Sequence, residues 1–163
     1  MNNNLLNAQK KLSIQKIIMR ESSFSVNKSI KAVFLQEMLK KSDPYIQSYE
    51  GVPNIHLLSV EDESSFAYIF EFECATRAVM LDDEGNPPDS DPSSSETSER
   101  VMYVISATFE AAYSSNERLT EDELRAFAEK NVMYHVWPYW REYLQNSCSR
   151  LDIPRLQVPM FKC

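Results

Sequence analysis

Two histidines, three cysteines and a knot of aromatic side chains are the residues of this 163-residue chain whose types could carry chemistry. Residues 135–143 read HVWPYWREY, which sets His135 beside Trp137, Tyr139, Trp140 and Tyr143. Such a stretch could be a cofactor box, a nucleic-acid stacking platform, a protein-binding groove or ordinary core. His135 or Cys148 could be the reactive group of a pocket, since an adjacent base can activate a thiol. No spacing supports a His–Cys pair, however, and His56 falls within an expected strand. Cys74, Cys148 and Cys163 are odd in number and widely spaced, which argues against a disulfide framework. Without a C-x-x-C pair no structural zinc is expected, and no metal ligand is assigned. Cys74 lies in an alternating apolar run, which suits a small buried side chain.

Phosphate-cradling loops need several glycines, and this chain has only Gly51 and Gly85. Neither a G-x-G-x-x-G turn nor a G-x-x-x-x-G-K-[ST] loop can be built from them. No cofactor is expected, and composition argues against most common enzyme designs. The net charge of -7 is unevenly spread. Asp82, Asp83, Glu84, Asp89, Asp91, Glu96 and Glu99 fall in one stretch that has no base, and the remainder carries 17 acids against 17 bases. A chain without a basic surplus lacks the electrostatic footprint of a nucleic-acid binder. No apolar run approaches the ~18 residues that cross a bilayer. The opening MNNNLLNAQKK lacks the charged-then-apolar order of a secretory signal. A soluble cytoplasmic protein with no membrane partner is expected.

The elements that must position these residues can be read from periodicity. Residues 1–10 read as a frayed tail. A strand is expected over 12–26, where β-branched and aromatic residues recur. SIKAVFLQEMLKK predicts a short helix over 30–41, capped by Ser29. The stretch from Ser42 to Pro53 reads as an irregular connection, with Pro44, Gly51 and Pro53 as breakers. Strands are expected over 54–61 and 65–81. In the latter, Phe66, Tyr68, Phe70, Phe72 and Cys74 alternate with Ala67, Ile69, Glu71 and Glu73, the pattern of a sheet with one covered face. The acidic, Ser/Pro-rich segment 82–99 reads as a flexible loop joining two hairpin strands. A fourth strand follows over 100–113. Thr120 with Glu123 forms a capping box for the next helix. A last helix can start near Pro138, where the missing N–H costs nothing, and run to about Arg150. The sum is a single α+β domain, a four-stranded antiparallel sheet with helices on one face.

The C-terminal third then resembles the SecB family of export chaperones. WPYWREYLQNSCSRLDIPRLQVP is similar to that family's pattern at Trp137, Pro138, Tyr139, Arg141, Glu142, Ser149, Arg150, Pro154, Leu156, Val158 and Pro159. IQKIIMRESSF resembles the family's first strand. The resemblance implies a SecB-like sheet assembled as a homotetramer, a dimer of dimers. It implies an activity that needs no ATP: holding unfolded polypeptide in long apolar grooves. Carried across, the grooves map to 30–53 and 132–151. There Phe34, Leu35, Leu39, Tyr45, Tyr49, Tyr134, Trp137, Trp140 and Leu144 are the expected polypeptide-binding residues. Spacings of three and four put Trp137, Trp140 and Leu144 on one helical stripe. A holdase needs non-directional apolar contact, which 18 aromatic residues and seven methionines can supply.

The chain departs from the export pattern in three places. It stops soon after Pro159. Of the acidic positions that dock the SecA motor only Glu21 is kept, with Ser25 and Ser106 near two others. Its acidic segment is longer than usual. These departures weigh against SecA as a partner. Some SecB-like proteins instead protect the antitoxin of a toxin–antitoxin–chaperone system, some of which respond to phage. An antitoxin client is therefore the leading expectation, with general protein export as the alternative.

Overall fold

A computed structural model describes residues 3–59, 64–88 and 95–158. The chain opens with a helix, α1 (Asn3–Lys11), where a frayed tail was expected. Nine residues are too few to hold a helix alone. This one is held by packing, with Ala8 and the following Leu12 buried. Strand β1 (Ser13–Val26) follows. The expected helix over 30–41 is a 3-10 turn at Ala32–Phe34 leading into α2 (Leu35–Ser42). Ser29 does not cap it. Its N–H and hydroxyl both donate to the Asn27 side-chain oxygen, at 3.0 and 2.8 Å.

The connection expected over 42–53 is in fact the first half of a strand, β2 (Tyr45–Ser59). Its breakers are absorbed by a bulge. Gly51 pairs with Glu73 and Asn54 with Glu71, which leaves Val52 and Pro53 facing one residue of the partner. Proline is tolerated there because β2 is an edge strand with one unpaired side. Strands β3 (Phe66–Val79) and β4 (Val101–Ser115) complete an antiparallel sheet in the order β1-β4-β3-β2. The acidic segment between them is not wholly loop. Asp82 accepts from the N–H groups of Glu84 and Asn86, at 3.0 and 2.7 Å, and closes a turn in which Gly85 takes φ +84°. A short helix, α3 (Ser95–Arg100), leads into β4. Residues 60–63, with the end of the strand expected over 54–61, residues 89–94 of the acidic segment, the closing Pro159 and Cys163 lie outside the described residues.

The core forms on one face of the two central strands. Tyr68, Phe70, Phe72 and Cys74 pair across with Tyr113, Ala111, Phe109 and Ala107, and all eight are buried. The expected alternation thus holds, and full burial of each large side chain stabilises by about 1.5–3 kcal/mol. Above them runs a single helical stretch: α4 (Glu121–Phe127), a π-helical turn (Ala128–Val132) and α5 (Met133–Arg150). The predicted capping box is present, with Glu123 N–H donating to Thr120 and Thr120 N–H to Glu123. The last helix begins five residues before Pro138, not at it. Pro138 deprives the Tyr134 carbonyl of its partner, and Tyr134 is exposed, so water can replace it. The helix ends in a Schellman motif. Ile153 N–H donates to the Cys148 carbonyl at 3.1 Å and Asp152 N–H to that of Ser149 at 3.3 Å, with Asp152 left-handed at φ 52°.

The opposite sheet face is polar. Arg20, the extra residue of a bulge in β1, donates to Glu110 and sits 3.7 Å from Glu71. The Asn54 amide at 2.8 Å and His56 at 3.0 Å also hold Glu71, and together these partners lower its carboxyl pKa. The two carboxylates stand directly opposite on β3 and β4. Unneutralised, such a like-charge pair is destabilising.

Candidate functional site

The helical layer covers β3 and β4 but stops short of β2. Between them lies a groove of about 760 Å3, within the ~300–1,000 Å3 usual for ligand sites. Its sheet side is Val52, Pro53, Ile55, Leu57, Tyr68 and Phe72, and its helix side is Leu119, Leu124, Ala128 and Met133. Charges stand at the rim: Glu50, Arg118, Glu121, Arg125 and Glu129. The sequence sets this arrangement locally. The alternation of β2 turns Ile55 and Leu57 toward the core face, opposite Phe70 and Tyr68. The bulge adds Val52 and Pro53 to the same wall. On α4 and the π turn, spacings of three and four align Glu121, Leu124, Arg125 and Ala128 along one flank, and the turn before α4 adds Arg118.

The buried hydroxyl of Tyr68 is not free for a ligand. It accepts the Leu119 N–H at 2.9 Å and pins the turn that leads into α4. What the groove offers is apolar surface with a charged border and no aligned catalytic group. That suits contact with many side chains better than reaction with one.

None of the nine residues expected to bind polypeptide lines this groove. Leu35, Trp140 and Leu144 are buried in the core, at 0%, 3% and 1% exposure. The helical stripe exists, but it points inward and holds the sheet. Trp137 and Leu39 are half-buried against that core. Phe34, Tyr45, Tyr49 and Tyr134 are exposed. Tyr49 pairs with Ala75 on the sheet face away from the groove, where its hydroxyl lies over Gly51. The groove-lining residues missed by sequence reasoning sit around the β2 bulge and in α4. Pro53 was legible only as a breaker, Val52 only as part of an irregular connection, and the wall of α4 only as a well-capped helix.

The reactive candidates are accounted for by packing. The Tyr113 hydroxyl shares a hydrogen bond with His135 Nδ1 at 2.8 Å, and the Tyr113 ring stacks edge-on against Phe127 and Phe70. Burial lowers the pKa of His135, which favours the neutral imidazole. Cys148 lies thirteen residues further along the helix, roughly 20 Å away at 1.5 Å per residue. The two cannot pair. Burial pushes the thiols of Cys74 and Cys148 up, away from thiolate chemistry. Among the described residues no cluster of histidine, cysteine or acid is placed to hold a metal ion, and no helix is long and apolar enough to cross a membrane.

No protein-family model matches the sequence, and no curated protein matches it significantly. The fold has a solved counterpart. A Mycobacterium tuberculosis SecB-like chaperone, solved in complex with a ChAD peptide from the HigA1 antitoxin, superposes with a TM-score of 0.66 at 15% identity. The match covers 99% of each chain. The chain has the SecB-like fold, as its terminal motifs implied.

Proposed function

We propose that this chain is a holding chaperone, acting without ATP and not as an enzyme, that shelters an aggregation-prone polypeptide segment in the groove between β2 and α4. The observation that carries this reading is the groove itself, apolar within and charged at its border, on a SecB-like fold. Its proposed client is the antitoxin of a toxin–antitoxin–chaperone system, since the similar mycobacterial chaperone was solved with an antitoxin peptide. A role in phage defence belongs to the same proposal, as does action in the cytoplasm. The exposed aromatic residues Phe34, Tyr45 and Tyr134 would extend the contact beyond the groove, and Tyr49 would offer a separate contact on the other sheet face. Sheltering ~400 Å2 of apolar client surface would stabilise the complex by roughly 10 kcal/mol, before ordering costs that remove much of it.

The test is direct. The purified protein should slow the aggregation of a denatured substrate without nucleotide, and mass spectrometry should find an antitoxin co-purifying from its own host. Leu57 is 39% exposed on the groove's sheet side, so Leu57→Glu should fold normally and lose most of that protection. Full protection by Leu57→Glu would move the client elsewhere. Tight binding to SecA in place of an antitoxin would restore the export reading.

A further inference from the structure

We infer that the N-terminal helix α1 sets the shape of the groove through Lys11, a positioning residue that touches no groove side chain in the structure. The inference rests on the groove reading above. Lys11 ends α1 and reaches two carboxylates at once, Glu123 at 3.3 Å and Glu117 at 3.4 Å. These two acids bracket the turn that carries Arg118, Leu119 and Glu121 to the groove. Glu123 is only 5% exposed. Its second oxygen accepts the Thr120 N–H at 2.9 Å, so Lys11 is the cation that compensates a nearly buried charge. A buried carboxylate stripped of its counter-charge is costly. It would turn toward water and draw the start of α4 with it.

A second fastening makes this a clamp. Gln9 donates to Asn131 at 2.9 Å, at the far end of the π turn. Helix α1 therefore grips the wall at both ends, on the flank away from the groove. Tyr68 holds the same wall from the floor through Leu119. The wall is thus fixed between two polar anchors, and the outer one belongs to an element that the groove itself does not need for apolar area.

The full chain should be compared with Lys11→Met, which keeps the apolar stem, Lys11→Arg, which keeps the charge, and Glu117→Gln at the exposed end of the clamp. The probe is a fluorescein-labelled peptide of alternating leucine and threonine, titrated by polarisation against folded protein. Lys11→Met should weaken binding about fivefold, within the range of indirect couplings, and Lys11→Arg should restore it. Hydrogen exchange should quicken over 119–129 while β3 and β4 keep their protection. Should Lys11→Met not fold, Glu117→Gln carries the test with a smaller loss of the same sign. Unchanged affinity alongside quickened exchange overturns the inference and leaves the groove reading standing. No saturable binding by the unaltered protein overturns the groove reading first.

Discussion

Trp137 and Trp140 stand three residues apart on one helix and serve different ends. Trp140 is 3% exposed among Leu144 and Cys148, so its truncation leaves a large cavity. Trp140→Ala should cost about 3–5 kcal/mol in urea unfolding, and any loss of client should follow the loss of fold. Trp137 is only half-buried, and Trp137→Ala should cost about 1–2 kcal/mol. His135 gives the residue scale a pH signature. Its pKa lies below the ordinary ~6.5 because burial disfavours the cation. The unfolded chain therefore takes the proton first as pH falls. The contribution to stability is complete above ~6.5 and is lost as pH falls through the folded value. His135→Gln, which keeps a hydrogen-bonding group for Tyr113 but cannot titrate, should flatten the stability curve over that window in pH-stepped thermal melts. An unaltered slope would mean that His135 carries no part of it.

At the scale of elements, the long helix shows what patterning can and cannot convey. Thr120 and Glu123 announced the start of α4, because a capping box is a local contract between neighbouring side chains. Pro138 misled for the same local reason. Proline is welcome at a helix start, yet α5 begins at Met133 and carries it inside. The π turn that joins the two helices has no local signature in the sequence. Strand β3 was legible nearly to the residue, since one covered face imposes strict alternation. Helix α1 and the first half of β2 were not, since each is held by partners distant in sequence: α4 and the π turn in one case, β3 in the other. The same distinction decided the candidate site. The aromatic stripe was found correctly as a stripe, but period alone does not say which face turns inward. A test at this scale is Pro138→Ala. Restoring the hydrogen bond to the Tyr134 carbonyl should raise stability by about 1–2 kcal/mol, less than the full proline cost because the helix already accommodates the ring. Chemical denaturation would read it, and a loss of stability would mean that the proline ring is needed for packing.

The whole molecule turns on a helical layer narrower than its sheet. Helices α4 and α5 cover the central strands, and both edges keep their inner faces open. At β2 the open strip is the groove. At β1 it is Ile14, Met19 and Phe24, which pair with the buried Tyr113, Phe109 and Ile105 and so continue the core face, yet are 46%, 39% and 41% exposed. Single apolar residues at a surface need no explanation, but a strip that extends a core is the mark of an interaction site. A second subunit is the simplest cover, and it suits the dimer of dimers that the resemblance implies. The β1 backbone edge could join it, since an edge strand presents unpaired N–H and C=O groups, although Lys16, Arg20 and Glu21 on the same strand restrict which registers can form. Phe24→Glu should therefore split the assembly without unfolding the protomer, because the side chain already meets solvent in the single chain. Light scattering coupled to gel filtration would show the mass fall to that of one or two chains, with the circular dichroism spectrum unchanged. A protein whose mass equals one chain before the substitution would show that no second copy covers β1, and the strip would then be free to take part of the client.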